Sequence, residues 1–178
     1  MNPIREKEII KQVQAGNAQA FEPLVHHYQQ AVFRILSNLV GNAMVEDLAQ
    51  DVFLSAYEQI RRFDSKKGGF RSWLYAIARN RALNARRKKR ETLLAEPPEL
   101  VQERTPVDDL MVKEVFRHLD TMLKAMPFQD RCIFVWVELE GLSYAEIARI
   151  EDLPLGTVKS RLARIRARLK HSLRKMSN

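Results

Sequence analysis

The sequence predicts an all-α protein of two small helical domains joined by a flexible acidic linker, and three observations carry that expectation. Gly and Pro number only six and seven in 178 residues, and the rest is rich in Ala, Leu, Glu, Arg and Lys, all good helix formers. Apolar residues recur at helical rather than alternating spacing throughout. The charge also changes sign abruptly in mid-chain. From Arg61 to Arg90 twelve Lys/Arg face one acid, Asp64, whereas from Glu91 to Leu110 six Asp/Glu face one Arg, Arg104. The acidic stretch also holds Pro97, Pro98 and Pro106, which suit an extended connection. The domains expected are therefore 1–92, a linker over 93–110, and 111–178.

In the first domain a short helix is expected over Glu6–Ala15, ended by Gly16-Asn17. A longer one is expected over Ala18–Val40, with Phe21, Leu24, Val25, Tyr28, Val32, Ile35, Leu36 and Leu39 on one side and Gly41-Asn42 as its stop. A third runs from about Val45 to Phe63 with Leu48, Val52, Ala56 and Ile60 inward, and Phe53 and Tyr57 widen that side. Asp47, Gln50, Asp51 and Glu58 lie on its other faces. The loop FDSKKGGF follows, in which Gly68-Gly69 breaks the helix and Phe63 and Phe70 flank Lys66 and Lys67. The fourth helix spans Arg71 to about Arg90. Trp73, Leu74, Ile77, Ala78 and Leu83 suit its inner side, while Arg79, Asn80, Arg81, Asn84, Arg86 and Arg87 are available to a partner. Aromatics interleaved with cations suit single-stranded nucleic acid: bases stack on rings, cations neutralise phosphate, and Asn bonds base edges. Core packing is the competing explanation for Trp73 and the phenylalanines.

The second domain holds the most informative segment, Gly141–Lys170. Ser143 with Glu146 forms a capping box that starts one helix, and Ile147, Ala148 and Ile150 give its apolar side. Glu151-Asp152-Leu153-Pro154 interrupts the pattern, with Pro154 suited to the first turn of the next helix. Val158, Leu162, Ile165 and Leu169 form the buried stripe of that helix; at about 100° per residue, Thr157, Ser160, Arg161, Arg164 and Arg168 project elsewhere. From Leu155 onward there are eight Lys/Arg and no Asp or Glu. Ordinary solvated faces mix both signs, so this is the pattern of a helix-turn-helix that presents short polar and basic residues to a DNA major groove.

The formal net charge of +8 agrees with a polyanionic partner. Other functions lack their residues. No phosphate-binding GxxxxGK[ST] loop occurs. His26, His27, His118 and His171 lack metal-ligand spacing with one another or with Cys132, so no metal or cofactor is expected. Cys132 reads as a small buried apolar residue, and as the only cysteine it permits no internal disulfide, which fits a reducing compartment. No apolar run approaches the ~20 residues that span a bilayer, and the first residues lack a signal-peptide core, so membrane insertion is not expected and a cytoplasmic location is.

With these residues in view, the chain resembles the extracytoplasmic-function (ECF) sigma factors of bacterial RNA polymerase. DLAQDVFLSAYEQIRRFD (47–64) resembles their helix that grips the polymerase clamp. FRSWLYAIARNRALNARRKKR (70–90) is similar to their segment that melts and reads the −10 promoter element, and LSYAEIARIEDLPLGTVKSRLARIRARL (142–169) to their −35 reader. The resemblance implies a non-enzymatic promoter-specificity subunit whose partners are core polymerase (clamp and flap), promoter DNA and an inhibitory anti-sigma factor. It implies that Phe63, Lys66, Lys67, Phe70 and Trp73 surround a base flipped from the melted strand. Asn80, Arg81, Asn84, Arg86 and Arg87 would contact melted DNA, the duplex edge and phosphates. Asp47, Gln50 and Asp51 would bind the clamp, and Thr157, Lys159, Ser160, Arg161 and Arg164 the −35 major groove. The helix over about Pro127–Glu140, with Phe128, Ile133, Val135 and Val137, would build core and part of a flap surface. The family usually has an apolar residue and then Gly where this chain has Glu151 and Asp152. Asp tolerates the left-handed backbone needed there, while Glu151 either caps the surface or loosens the turn. A free-standing helix-turn-helix regulator is the alternative, but it leaves the Phe63–Arg90 segment without a purpose. A recombinase would need a positioned nucleophile, which Ser37 and Ser55, inside helical patterns, do not supply.

Overall fold

The computed structural model describes residues 1–95 and 110–176, with side chains over 1–91 and 117–174. Most of the expected acidic linker, residues 96–109, lies outside the described residues. The chain divides into two compact units, Met1–Arg87 and Lys88–Asn178. Helices account for the regular structure of both, and no strand occurs among the described residues.

The first unit contains α1 (Pro3–Gln14), α2 (Glu22–Val40), α3 (Val45–Gln59) and most of α4 (Phe70–Ala95), whose end runs past Arg87. α1 begins earlier than expected because the Asn2 side chain accepts the Ile4 N–H at 2.9 Å, and Pro3 occupies a first-turn position where its missing N–H costs nothing. The expected Ala18–Val40 helix is split. Residues Ala18–Phe21 form a 3₁₀ turn and the α-helix begins at Glu22. Pro23 is the reason: it has no N–H to give to residue 19, and its ring would clash with that carbonyl in a continuous α-helix. Gly41, at φ +83°, ends α2. Leu24, Tyr28, Val32, Ile35, Leu36 and Leu39 form its buried stripe and pack against Leu48, Val52 and Ala56 of α3. α3 tightens into a 3₁₀ turn at Ile60–Arg62. α4 buries Phe70, Leu74, Tyr75, Ala78, Ala82 and Ala85. Of the residues expected inward, Trp73, Ile77 and Leu83 are only half-buried. The alanines take the inner positions because their small side chains let the helix backbone approach closely.

The second unit contains α5 (Leu110–Ala125), α6 (Phe128–Phe134), α7 (Tyr144–Glu151) and α8 (Leu155–Met176). The helix expected to run to Glu140 loses its α pattern after Phe134. Residues Val135–Leu139 form a π turn, in which the Glu140 N–H reaches the Val135 carbonyl at 3.1 Å. Gly141 then reverses the chain at φ +61°. The Ser143–Glu146 capping box is present in both directions, and α7 starts where it dictates. Asp152 takes the left-handed conformation, φ 52° and ψ 52°, and hands its N–H to the Ala148 carbonyl, so the tight turn forms without glycine. Val158, Leu162, Ile165 and Leu169 bury the expected stripe of α8 beside Cys132, Ile133, Val135, Trp136 and Ile147.

Candidate nucleic-acid interface

In the first unit, the loop from Phe63 to Phe70 is rooted by α1. The Gln14 Nε2 donates to the carbonyls of Ile60 and Phe63, both at 2.9 Å. Within the loop, Asp64 folds the chain on itself: its side chain accepts the Lys66 N–H at 2.9 Å and its carbonyl accepts the Lys67 N–H at 3.0 Å. Lys66 and Lys67 are thereby held outward and exposed. The flanking rings turn the other way. Phe63 and Phe70 are 8% and 2% exposed. Their centroids lie 5.6 Å apart, and Trp73 stands 5.2 Å from Phe63 and 5.5 Å from Phe70. Tyr28 of α2 adds a fourth ring, 5.6 Å from Phe70. The rings expected to surround a flipped base thus pack on one another beneath the loop. Each ring buries a large apolar area against its neighbours, so both belong to the core and the outer surface of the loop is Asp64–Gly69. Trp73, half-buried, forms the edge of the cluster.

Along α4, Asn80, Asn84 and Arg87 are exposed and follow one another at helical spacing, so they share a face. Arg81 leaves that face: its Nη2 donates to the Oγ of Ser55, a buried residue of α3. Arg86 is also half-buried. Arg79 donates to Asn80 Oδ1 at 3.2 Å and orients that amide. On α3, Asp47, Gln50 and Asp51 are all exposed, the last two about one turn after the first. Leu54 continues the same face with 57% exposure, a residue that sequence reasoning passed over although it lies off the buried stripe.

In the second unit, α7, the turn and α8 form a helix-turn-helix. Lys159, Ser160, Arg164 and Arg168 are exposed on α8, and Thr157 is half-buried. Arg161 is drawn back toward α6, where its Nη1 donates to Gln129 Oε1 at 2.6 Å and pairs with Asp130 at 3.3 Å. Glu151 neither caps the surface nor loosens the turn. It is 3% exposed, and its Oε1 accepts the indole N–H of the fully buried Trp136 at 2.9 Å. Trp136 is the second residue that the sequence did not single out. Away from this surface, Phe134, Glu138, Arg166, Leu169, Lys170, Leu173 and Arg174 line an open groove of about 470 Å³. Arg166 binds Glu138 across it through Nε at 2.9 Å and Nη2 at 2.7 Å, and that hydrogen bond raises the guanidinium pKa above its usual value.

Two basic, largely exposed helical surfaces, one beside an aromatic-rooted loop and one on a helix-turn-helix, define a nucleic-acid-binding protein of the transcription class. Residues 24–92 match Sigma-70 region 2 and residues 116–169 match Sigma-70 region 4. The chain is 33% identical over 182 residues to the ECF RNA polymerase sigma-E factor of Haemophilus influenzae, covering 96% of each. It is 34% identical to the sigma-E factor of Escherichia coli, covering 92% of this chain and 91% of that one. It is 31% identical to the ECF sigma factor SigW of Bacillus subtilis, covering 94% and 96%. The chain belongs to the sigma-70 family, as an ECF RNA polymerase sigma factor. Its fold is shared with solved structures at lower identity. CnrH, solved with the cytosolic domain of CnrY, has a TM-score of 0.71 at 23% identity and covers 96% of this chain and 98% of that one. The sigma factor RpoE of Bartonella quintana, solved with the anti-sigma factor NepR, has a TM-score of 0.74 at 22% identity over 88% and 98%. No described helix is long and apolar enough to cross a membrane.

Proposed function

We propose that this sigma factor uses its first unit to hold core polymerase and open the −10 element, and its second unit to read the −35 element. It does no covalent chemistry and acts in the cytoplasm. The observation that carries the reading is the pairing of two basic surfaces with different chemistry on one chain. The α4 surface joins Asn80, Asn84 and Arg87 to a loop exposing Lys66 and Lys67, which suits unpaired bases and bent backbone. Phe63, Phe70 and Trp73 give that loop a rigid aromatic floor, against which a flipped base would be received. The α8 surface offers side chains of the length and charge that a major groove admits.

Asp47, Gln50, Asp51 and Leu54 present a polar patch with one apolar anchor, and we assign it to the polymerase clamp. The open groove between α6 and α8 suits an apolar helix with charged edges, because its lining joins Phe134, Leu169 and Leu173 to Glu138, Arg166, Lys170 and Arg174. The polymerase flap and an anti-sigma factor are its proposed occupants. A free-standing regulator would need only the second unit.

Run-off transcription by purified core polymerase on fragmented genomic DNA tests the proposal. Discrete transcripts that require this protein support it, and their start sites give the promoter sequences. No transcripts, with no co-migration with core polymerase, would return the regulator reading to first place.

A further inference from the structure

Among the described basic side chains of α8, Arg161 is the one that is not exposed. Lys159, Arg164 and Arg168 stand exposed, whereas the Arg161 side chain keeps 30% exposure and its partner Asp130 only 17%. Its Nη1 has two acceptors, Gln129 Oε1 at 2.6 Å and Asp130 Oδ1 at 3.3 Å. Gln129 turns the other end of its amide to the backbone carbonyl of Glu151, at 3.4 Å. One half-buried amide therefore stands between the last residue of α7 and the recognition helix. Glu151 is itself fixed by Trp136 in the π turn. A base-reading arginine offers a pair of N–H donors to guanine O6 and N7. Drawing Arg161 out to do so would leave the Asp130 carboxylate, mostly buried, without this cation and beside DNA phosphates, which carry the same sign.

We propose that Arg161 is a positioning residue: with Gln129 and Asp130 it fixes the pitch of α8 against α6 and α7, and base reading falls to Lys159, Ser160 and Arg164. The inference rests on the proposal that α8 reads the −35 element. It differs from a direct-contact role in what substitution does. A lost base contact erases preference at one or two neighbouring base pairs, whereas a tilted helix weakens every contact together and leaves the order of preferred bases unchanged.

The test uses holoenzyme assembled from core polymerase and the full chain, selecting transcribed promoters from a duplex library randomised over the upstream element. Arg164→Ala is expected to flatten preference at one or two adjacent positions. Arg161→Ala and Gln129→Ala are expected to retain the wild-type order of bases at every position. Both should lower selectivity evenly, by about 3- to 10-fold over random duplex, the scale of one lost hydrogen bond. Arg161→Lys, which keeps the charge and one donor for Gln129, should restore part of it. Loss of preference at a single position in Arg161→Ala, with a wild-type profile in Gln129→Ala, would overturn the proposal. Wild-type profiles in both would also overturn it. A wild-type profile in Arg164→Ala would remove the −35 role of α8 and the positioning role with it. Should Arg161→Ala fail to fold, Gln129→Ala carries the comparison, since it removes an uncharged, half-buried side chain: an even loss supports the proposal, and no loss or a single-position loss defeats it.

Discussion

Replacing Glu151 by Leu tests how the turn of the helix-turn-helix is held. The carboxylate is 3% exposed and accepts the indole N–H of Trp136, which is fully buried, at 2.9 Å. Glu151→Leu leaves that N–H in the core with no carboxylate to receive it, which costs about 1–3 kcal/mol. The leucine returns part of this, because the protein no longer has to desolvate a carboxylate. A net destabilisation of about 1–2 kcal/mol is expected for the second unit. Trp136→Phe removes the donor instead and should also destabilise. Combining the two removes both polar partners, so the pair should cost less than the sum of the singles by about 1–3 kcal/mol. Hydrogen exchange of the α7 and α8 amides reports on this unit in every variant, including those that lack Trp136. A Glu151→Leu protein as stable as its parent, or strictly additive singles, would refute the reasoning.

Other expected outcomes concern the two DNA surfaces, the polymerase surface and pH. Arg164→Ala should weaken binding to a −35 duplex by about 1–3 kcal/mol in a gel-shift titration at fixed salt. Lys66→Glu should spare that binding and slow strand opening, read by permanganate reactivity of the −10 thymines; equal loss of both activities in both variants would refute the division of labour. Asp51→Arg should lower affinity for core polymerase at least tenfold in native co-migration while leaving the helix content unchanged, because a reversed charge opposes its partner across the interface. Burial, and then the hydrogen bond to Glu6 at 2.5 Å, raise the pKa of the Tyr28 hydroxyl. A raised value means its stabilising contribution is complete below the unfolded value of about 10 and is lost as pH climbs through and beyond it. Tyr28→Phe should therefore flatten the alkaline loss of helical signal from the first unit.

Much of the fold was legible because its signals are local. Gly41 and Gly141 stop helices with positive φ, the Ser143–Glu146 box starts α7, and the stripe from Val158 to Leu169 is buried as its spacing requires. Asp152 likewise adopts the left-handed conformation its side chain tolerates. Long side chains and tertiary partners were the hard part. Helical spacing puts Arg81 and Arg161 on outward-leaning faces, but it is silent on Ser55 and Asp130, 26 and 31 residues away, which draw them back. The same limit hid the burial of Glu151, since its indole partner lies fifteen residues upstream. Phe63 and Phe70 bracket a polar loop, and bracketing alone does not decide whether a ring faces solvent or core. Pro23 was readable in principle: its lack of an N–H is what divides the expected second helix.

The Gln14 amide ties together stretches of chain made at different times. It grips carbonyls 46 and 49 residues further on, at the root of the loop that we propose faces DNA. During synthesis α1 emerges early and must wait for residues 60–63 before its glutamine has anything to hold. The loop is thus set late in folding, only once a long closure has been made against chain entropy. A tag or truncation that disturbs the first dozen residues will consequently be felt at the DNA surface, far along the sequence, before it is felt in the α2–α3 core.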